Sequence, residues 1–151
     1  MRPLPLLTAL ALIATAQPAA AQVTVTQVRD LNFGSVIRGI ATHVDPADPV
    51  KSGEFLIILV KTSRVRLQFT LPSQLNGPGG ATLPISFNAT DAISSGTAPP
   101  SQPNVFDPRV AQTFTIVKTP TYVFIGGTVT PAAGQALGIY INTITLTITL
   151  L

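Results

Sequence analysis

Apolar and polar residues alternate with a period of two along much of this chain, most cleanly near its C-terminus. From position 138 the sequence reads Gly-Ile-Tyr-Ile-Asn-Thr-Ile-Thr-Leu-Thr-Ile-Thr-Leu-Leu. Thr143, Thr145, Thr147 and Thr149 alternate with Ile144, Leu146, Ile148 and Leu150. Successive side chains of a strand point to opposite faces, so this segment predicts a long strand with one apolar and one hydroxyl-bearing face. The same pattern sets Val65, Leu67, Phe69 and Leu71 against Arg64, Arg66, Gln68 and Thr70. It sets Leu83, Ile85, Phe87 and Ala89 against Thr82, Ser86, Asn88 and Thr90. Pro84 falls within that run and implies an edge strand, because proline cannot donate to a ladder. Phe114 and Ile116 alternate with Thr113 and Thr115. Residues 55–60 are apolar at every position and predict a central strand.

Between these runs lie turn formers. Asp45-Pro46 and Asp48-Pro49 predict turns within residues 43–52, and Asn76-Gly77-Pro78-Gly79-Gly80 predicts a tight reversal. Residues 92–103 are rich in Ser, Gly and Pro and read as a long surface loop. No window after residue 21 carries the i, i+3, i+4, i+7 pattern of a helix. Short strands separated by turn residues predict an all-β fold, a single antiparallel β-sandwich over residues 22–151.

The N-terminus has a different character. Arg2 precedes an apolar run over residues 6–16. Gln17-Pro18 ends the run, and Ala19-Ala20-Ala21 offers small residues before Gln22. This is the pattern of a secretory signal over residues 1–21, too short for a spanning helix. It predicts an exported protein of the periplasm or cell surface with no membrane span after cleavage. The absence of Cys means that an exported domain of this chain relies on its core for stability. Charged residues make up 10% of the chain and no long basic run occurs, which argues against nucleic acid as a partner.

Candidate chemistry is sparse. The one histidine, His43, is expected in a Pro-rich loop, with Asp45 two residues away. No Gly-x-Ser-x-Gly elbow accompanies it, so no enzyme is expected. Asp45-Pro46-Ala47-Asp48 lacks the ligand density of a calcium loop, and the pair Asp91 and Asp107 adds no further ligand motif; neither a metal nor a cofactor is expected. Asn88-Ala89-Thr90 matches a glycosylation acceptor but falls within a predicted strand.

Several short motifs occur in a recognisable order: Asp30-Leu31-Asn32-Phe33-Gly34-Ser35-Val36, Ser52-Gly53-Glu54-Phe55, Phe69-Thr70-Leu71-Pro72, Gly126-Gly127-Thr128-Val129, Gly138-Ile139-Tyr140 and the final Thr/Ile strand. Together they resemble the bacterial domain-of-unknown-function family 4402, itself similar to spore-coat-U and fimbrial pilin domains. The resemblance spans residues 22–151. It implies an Ig-like, pilin-like sandwich on the surface of a Gram-negative-type bacterium, with no enzymatic activity. It also implies assembly by strand addition, with copies of the chain or other surface subunits as partners and a periplasmic chaperone during export. Gly138 stands fourteenth from the end, as in chaperone–usher pilins, while Leu150 stands where those pilins carry tyrosine. The candidate strand-pairing residues are Val23, Val25, Gly138, Tyr140, Ile144, Leu146, Ile148 and Leu150. Val28 breaks the alternation of Val23 and Val25, which leaves open whether residues 22–29 are a donor segment or the first strand of a complete domain. The alternative function is a monomeric secreted binding module that uses the loops at 43–52 and 92–103.

Overall fold

The computed structural model describes residues 23–59, 62–117 and 120–151. The expected signal segment and Val60 lie outside the described residues. The fold is all-β and antiparallel, with one short 3-10 turn at Pro78–Gly80. In chain order the strands are β1 (Val23–Arg29), β2 (Thr42–Val44), β3 (Gly53–Leu59), β4 (Ser63–Thr70), β5 (Gln74–Asn76), β6 (Thr82–Ser86), β7 (Ala92–Ser95), β8 (Asn104–Phe106), β9 (Gln112–Ile116), β10 (Thr121–Ile125), β11 (Gly127–Val129) and β12 (Thr145–Leu150). They form sheets of order β1-β3-β10-β7-β8, β2-β11-β6-β5 and β12-β4-β9.

The alternation read from sequence places the core. Val65, Leu67 and Phe69 on β4 are buried, while Arg64, Arg66, Gln68 and Thr70 are exposed. β3 runs through the middle of its sheet, between β1 and β10, as its continuous apolar sequence predicts. Its inward residues Phe55, Ile57 and Leu59 meet the inward face of β4 in one cluster. Phenylalanines interleave across this layer. Phe55 packs edge-on to Phe69 at 5.9 Å, Phe69 stacks with Phe106 of β8 at 6.5 Å, and Phe106 packs edge-on to Phe114 of β9 at 5.2 Å.

Four expectations are corrected. β6 is interior, between β11 and β5. Pro84 is tolerated because Thr130 N–H still donates to its carbonyl (3.0 Å), while the return bond is missing where the β11 ladder stops at Val129. Residues 92–95 form β7 with Ala92, Ile93 and Ser95 buried, and are not loop. The rest of that segment folds onto Ser95, whose Oγ accepts from Thr97 N–H and Ser101 N–H at 3.2 Å each. Asn88-Ala89-Thr90 lies beyond β6 in an exposed turn, where the Asp91 carboxylate accepts from Asn88 N–H (2.8 Å). His43 sits on β2 and not in a loop.

The chain passes from one sheet to another at Gly126, between β10 and β11. A Cβ there would lie 2.1 Å from the Val44 carbonyl oxygen and 2.8 Å from Pro46 N, because two backbones touch. Gly126 N–H also donates to Asp91 O at 2.8 Å. Gly126→Ala must push these backbones apart, and overpacking of this kind costs about 3 kcal/mol or more. A urea unfolding midpoint that falls sharply in this variant is the expected result; an unchanged midpoint would contradict the crossing.

Candidate functional site

β1 is paired with β3 on one side only, and β12 with β4 on one side only. The two strands come close to one another on the same flank of the sandwich. Across from the buried Leu59, Ile57 and Phe55 of β3 stand Val23, Val25 and Gln27 of β1, so these three face inward. Val25 is nevertheless 37% exposed. On β12, Leu146, Ile148 and Leu150 stand opposite Phe69, Leu67 and Val65 and are only half-buried. Two inward apolar rows therefore line this flank, and Val23, Leu146, Ile148 and Leu150 pack against the core cluster while staying only partly buried. At one end this flank opens into a groove of about 930 Å³, floored by Phe55, Leu83, Ile85, Ile125 and Val129 and reaching Ile144.

The edge of β12 is open in a defined way. Leu151 N–H donates to Arg64 O at 2.9 Å, and the pairs Thr149↔Arg66, Thr147↔Gln68 and Thr145↔Thr70 follow at two-residue steps. Hydrogen-bonded and non-hydrogen-bonded pairs alternate in an antiparallel ladder, so the threonines exchange bonds with β4. The N–H and C=O groups of Leu146, Ile148 and Leu150 point to the unpaired edge. The same residues thus carry half-buried apolar side chains and open backbone groups.

Not every predicted site residue belongs here. The regular strand begins at Thr145; before it, the chain is extended, with one bridge between Ile141 and Asn76. Gly138 has φ 148° and lies where a Cβ would be 2.5 Å from the Pro78 ring, so only glycine fits. Tyr140 covers Gly77, and its hydroxyl donates to Ala136 O (2.8 Å) while accepting from Gln135 Nε2 (2.6 Å). Gly138 and Tyr140 latch the segment onto the turn at Pro78–Gly80 and are not edge residues. Val23, Val25, Ile144, Leu146, Ile148 and Leu150 are brought to one flank.

β1 is the first strand among the described residues and pairs with β3 of its own chain. Its ladder shifts between Gln27 and Arg29, leaving Val28 as the extra residue of a bulge, which explains the broken alternation. Beyond the bulge Arg29 reaches across to β3. It pairs with the Glu54 carboxylate at 3.0 Å and donates to Ser52 O (2.8 Å) and Ser52 Oγ (3.1 Å). Glu54 is buried, so the guanidinium neutralises a charge that water does not reach. A residue pair 25 positions apart gives no signal in one sequence, and this clamp was not expected.

The polar groups weighed for catalysis are occupied otherwise. His43 Nδ1 lies 3.0 Å from the Thr128 hydroxyl, and Nε2 lies 4.0 Å from a carboxylate oxygen of the buried Asp91. Asp45 and Asp48 tie their own turn: Asp45 accepts from Ala47 N–H, and Asp48 accepts from Val50 and Lys51 N–H at 2.8 and 2.9 Å. Those two amides hold the Asp48 carboxyl below the usual carboxylate range. Hydrogen bonds from Arg109 do the same for Asp107. Among the described residues no group of three His, Cys, Asp or Glu side chains is placed to hold a metal. No family model matches the chain, and no curated protein matches it.

The clamp generates a prediction. Arg29→Ala strands a buried carboxylate and should cost roughly 3 kcal/mol, as loss of one partner of a buried ion pair does. Adding Glu54→Gln removes the orphaned charge and should recover part of that loss. Urea unfolding of the single and double variants decides it. Equal stability of wild type and Arg29→Ala would show that the pair does not anchor β1.

Proposed function

We propose that this protein is an exported structural subunit of a bacterial surface assembly that works by strand pairing at the flank between β1 and β12. The observation that carries this reading is the coincidence, on β12, of an open backbone edge with an inward apolar row that its own fold leaves half-exposed. A strand laid along β12 would satisfy the N–H and C=O groups of Leu146, Ile148 and Leu150, while its alternate side chains would enter the gap facing Val23 and Val25. Main-chain bonds would supply affinity and the apolar row would supply register. The partner is a second copy or another surface subunit, and a periplasmic chaperone would cover the flank during export. The role is architectural and not catalytic.

A substitution at Ile148 separates edge pairing from ordinary core packing. Ile148→Ala and Ile148→Pro both remove the apolar side chain, but only proline removes the outward N–H, and neither alters the bonds of Thr147 and Thr149 to β4. The two variants should therefore melt within about 1 kcal/mol of each other, since proline is tolerated on an edge whose N–H faces outward. Wild type and Ile148→Ala should form oligomers on size-exclusion chromatography, with ladders in mild SDS, while Ile148→Pro remains monomeric. A strictly monomeric wild type, alone and mixed with its neighbouring surface proteins, would sink the reading.

A further inference from the structure

The outward face of the β12-β4-β9 sheet has a composition that packing does not explain. Arg64 and Arg66 of β4 point to solvent from the central strand. Arginine on an edge strand guards against unwanted pairing, but β4 is covered on both sides, so that explanation does not apply. Their neighbours across the ladder are hydroxyl and amide side chains. Arg66 stands between Thr149 and Thr113, Arg64 stands beside Thr115, and Gln68 stands beside Thr147. All of these residues are exposed.

Neither guanidinium has an ion pair or side-chain hydrogen bond among the described residues. The chain has six carboxylate side chains, and none lies on this sheet. Glu54 is taken by Arg29, Asp107 by Arg109, Asp30 by Gln27, Asp45 and Asp48 by turn amides, and Asp91 by Asn88 N–H beside His43. Two like charges sit roughly 7 Å apart, two strand residues along one face, with no carboxylate side chain paired to either among the described residues. An anion would relieve that repulsion.

We propose that this face binds a linear acidic polysaccharide. Each guanidinium would take a sugar carboxylate by a two-pronged hydrogen bond, for which its planar fork is suited. The flanking threonines and Gln68 would meet sugar hydroxyls. A flat face with repeated donors at strand spacing fits an extended polymer better than a single small anion. The face carries no aromatic platform on which nucleic-acid bases could stack. Its exposed aliphatics, Val117 and Leu151, stand at one end of the sheet and leave the arginine and threonine rows polar. The site lies on the outer surface of the sheet, apart from the strand-pairing flank.

The test is binding of the mature protein to polygalacturonate, with neutral dextran and anionic lipid vesicles in parallel, by affinity electrophoresis and calorimetry. Wild type should bind polygalacturonate and not dextran, and binding should fade near 1 M salt, where screening acts within about 3 Å. R64Q/R66Q should weaken binding by about tenfold or more through loss of charge-assisted bonds, with an unchanged melting temperature and unchanged oligomer size. The charge-matched control R38Q/K51Q changes net charge equally but lies off the face, and should bind as wild type. If R64Q/R66Q does not fold, R66K replaces it; retained charge without the fork should still weaken binding. Absence of wild-type binding, equal loss in the charge-matched control, or binding to vesicles and not to polygalacturonate would each overturn the proposal. An unchanged oligomer in R64Q/R66Q keeps this outcome separable from that of strand pairing.

Discussion

The fold depends on a row of four phenylalanines, and the row is lopsided. Phe55 and Phe106 come from one sheet, Phe69 and Phe114 from the other, and their rings interleave with centroids between 5.2 and 6.5 Å apart. With no Cys in the chain and no α-helix among the described residues to brace the layers, this apolar seam holds the two sheets at their packing distance. The row begins on β3 and β4 and runs toward β8 and β9. The flank between β1 and β12 is lined instead by Val23, Val25 and the partly buried aliphatics of β12, which are smaller than phenylalanine. The open flank is thus a consequence of where the large side chains sit.

Strands with strict alternation were legible in the sequence because burial of one face enforces a period of two. β4, β9 and β12 follow the reading residue by residue, and β3 follows as an apolar central strand. The short elements were not legible. β2, β5, β8 and β11 have three residues each, and their pairing is set by partners far along the chain, as His43 on β2 is set by Thr128 on β11. Pro84 misled because the rule for edge strands assumes a full-length neighbour, whereas β11 ends just where the proline would break the ladder. At the candidate site, the apolar row of β12 was readable and the Arg29–Glu54 clamp was not.

Residues 143–150 keep one phase, although only Thr145–Leu150 is regular strand. Tyr140, Ile144, Leu146, Ile148 and Leu150 are all at least half-buried, on the even positions. The odd positions change character along the way. Leu137, Ile139 and Ile141 are largely exposed aliphatics, and from Thr143 onward every odd residue through Thr149 is threonine. Ile37 and Ile40 lie exposed on a loop where Gly39 N–H donates to Pro131 O (3.1 Å) and a Cβ at Gly39 would lie 3.7 Å from Ala133 Cα. Exposed aliphatics of residues 137–141 therefore line the groove, while the outward face along β12 stays polar. One segment serves a greasy opening at its start and a hydrated surface at its end.

Comparison of the sheet edges explains why β12 is singled out. β2 and β8 expose edges of three residues, too short to template a long ladder. β1 carries a bulge, which twists a strand and disrupts continued pairing. β9 has five residues without charge and an unpaired edge, but the interior beside it is occupied by the Phe106–Phe114 contact. β12 has six residues, no charge, no proline and no bulge, and its apolar row stays only partly buried. An added strand gains hydrogen bonds at any open edge. Of these edges, β12 also offers a partly buried apolar row, and burying apolar side chains contributes about 1.5–3 kcal/mol each against exposure. On the proposed reading, that difference between edges is what would make β12 the seat for a partner strand.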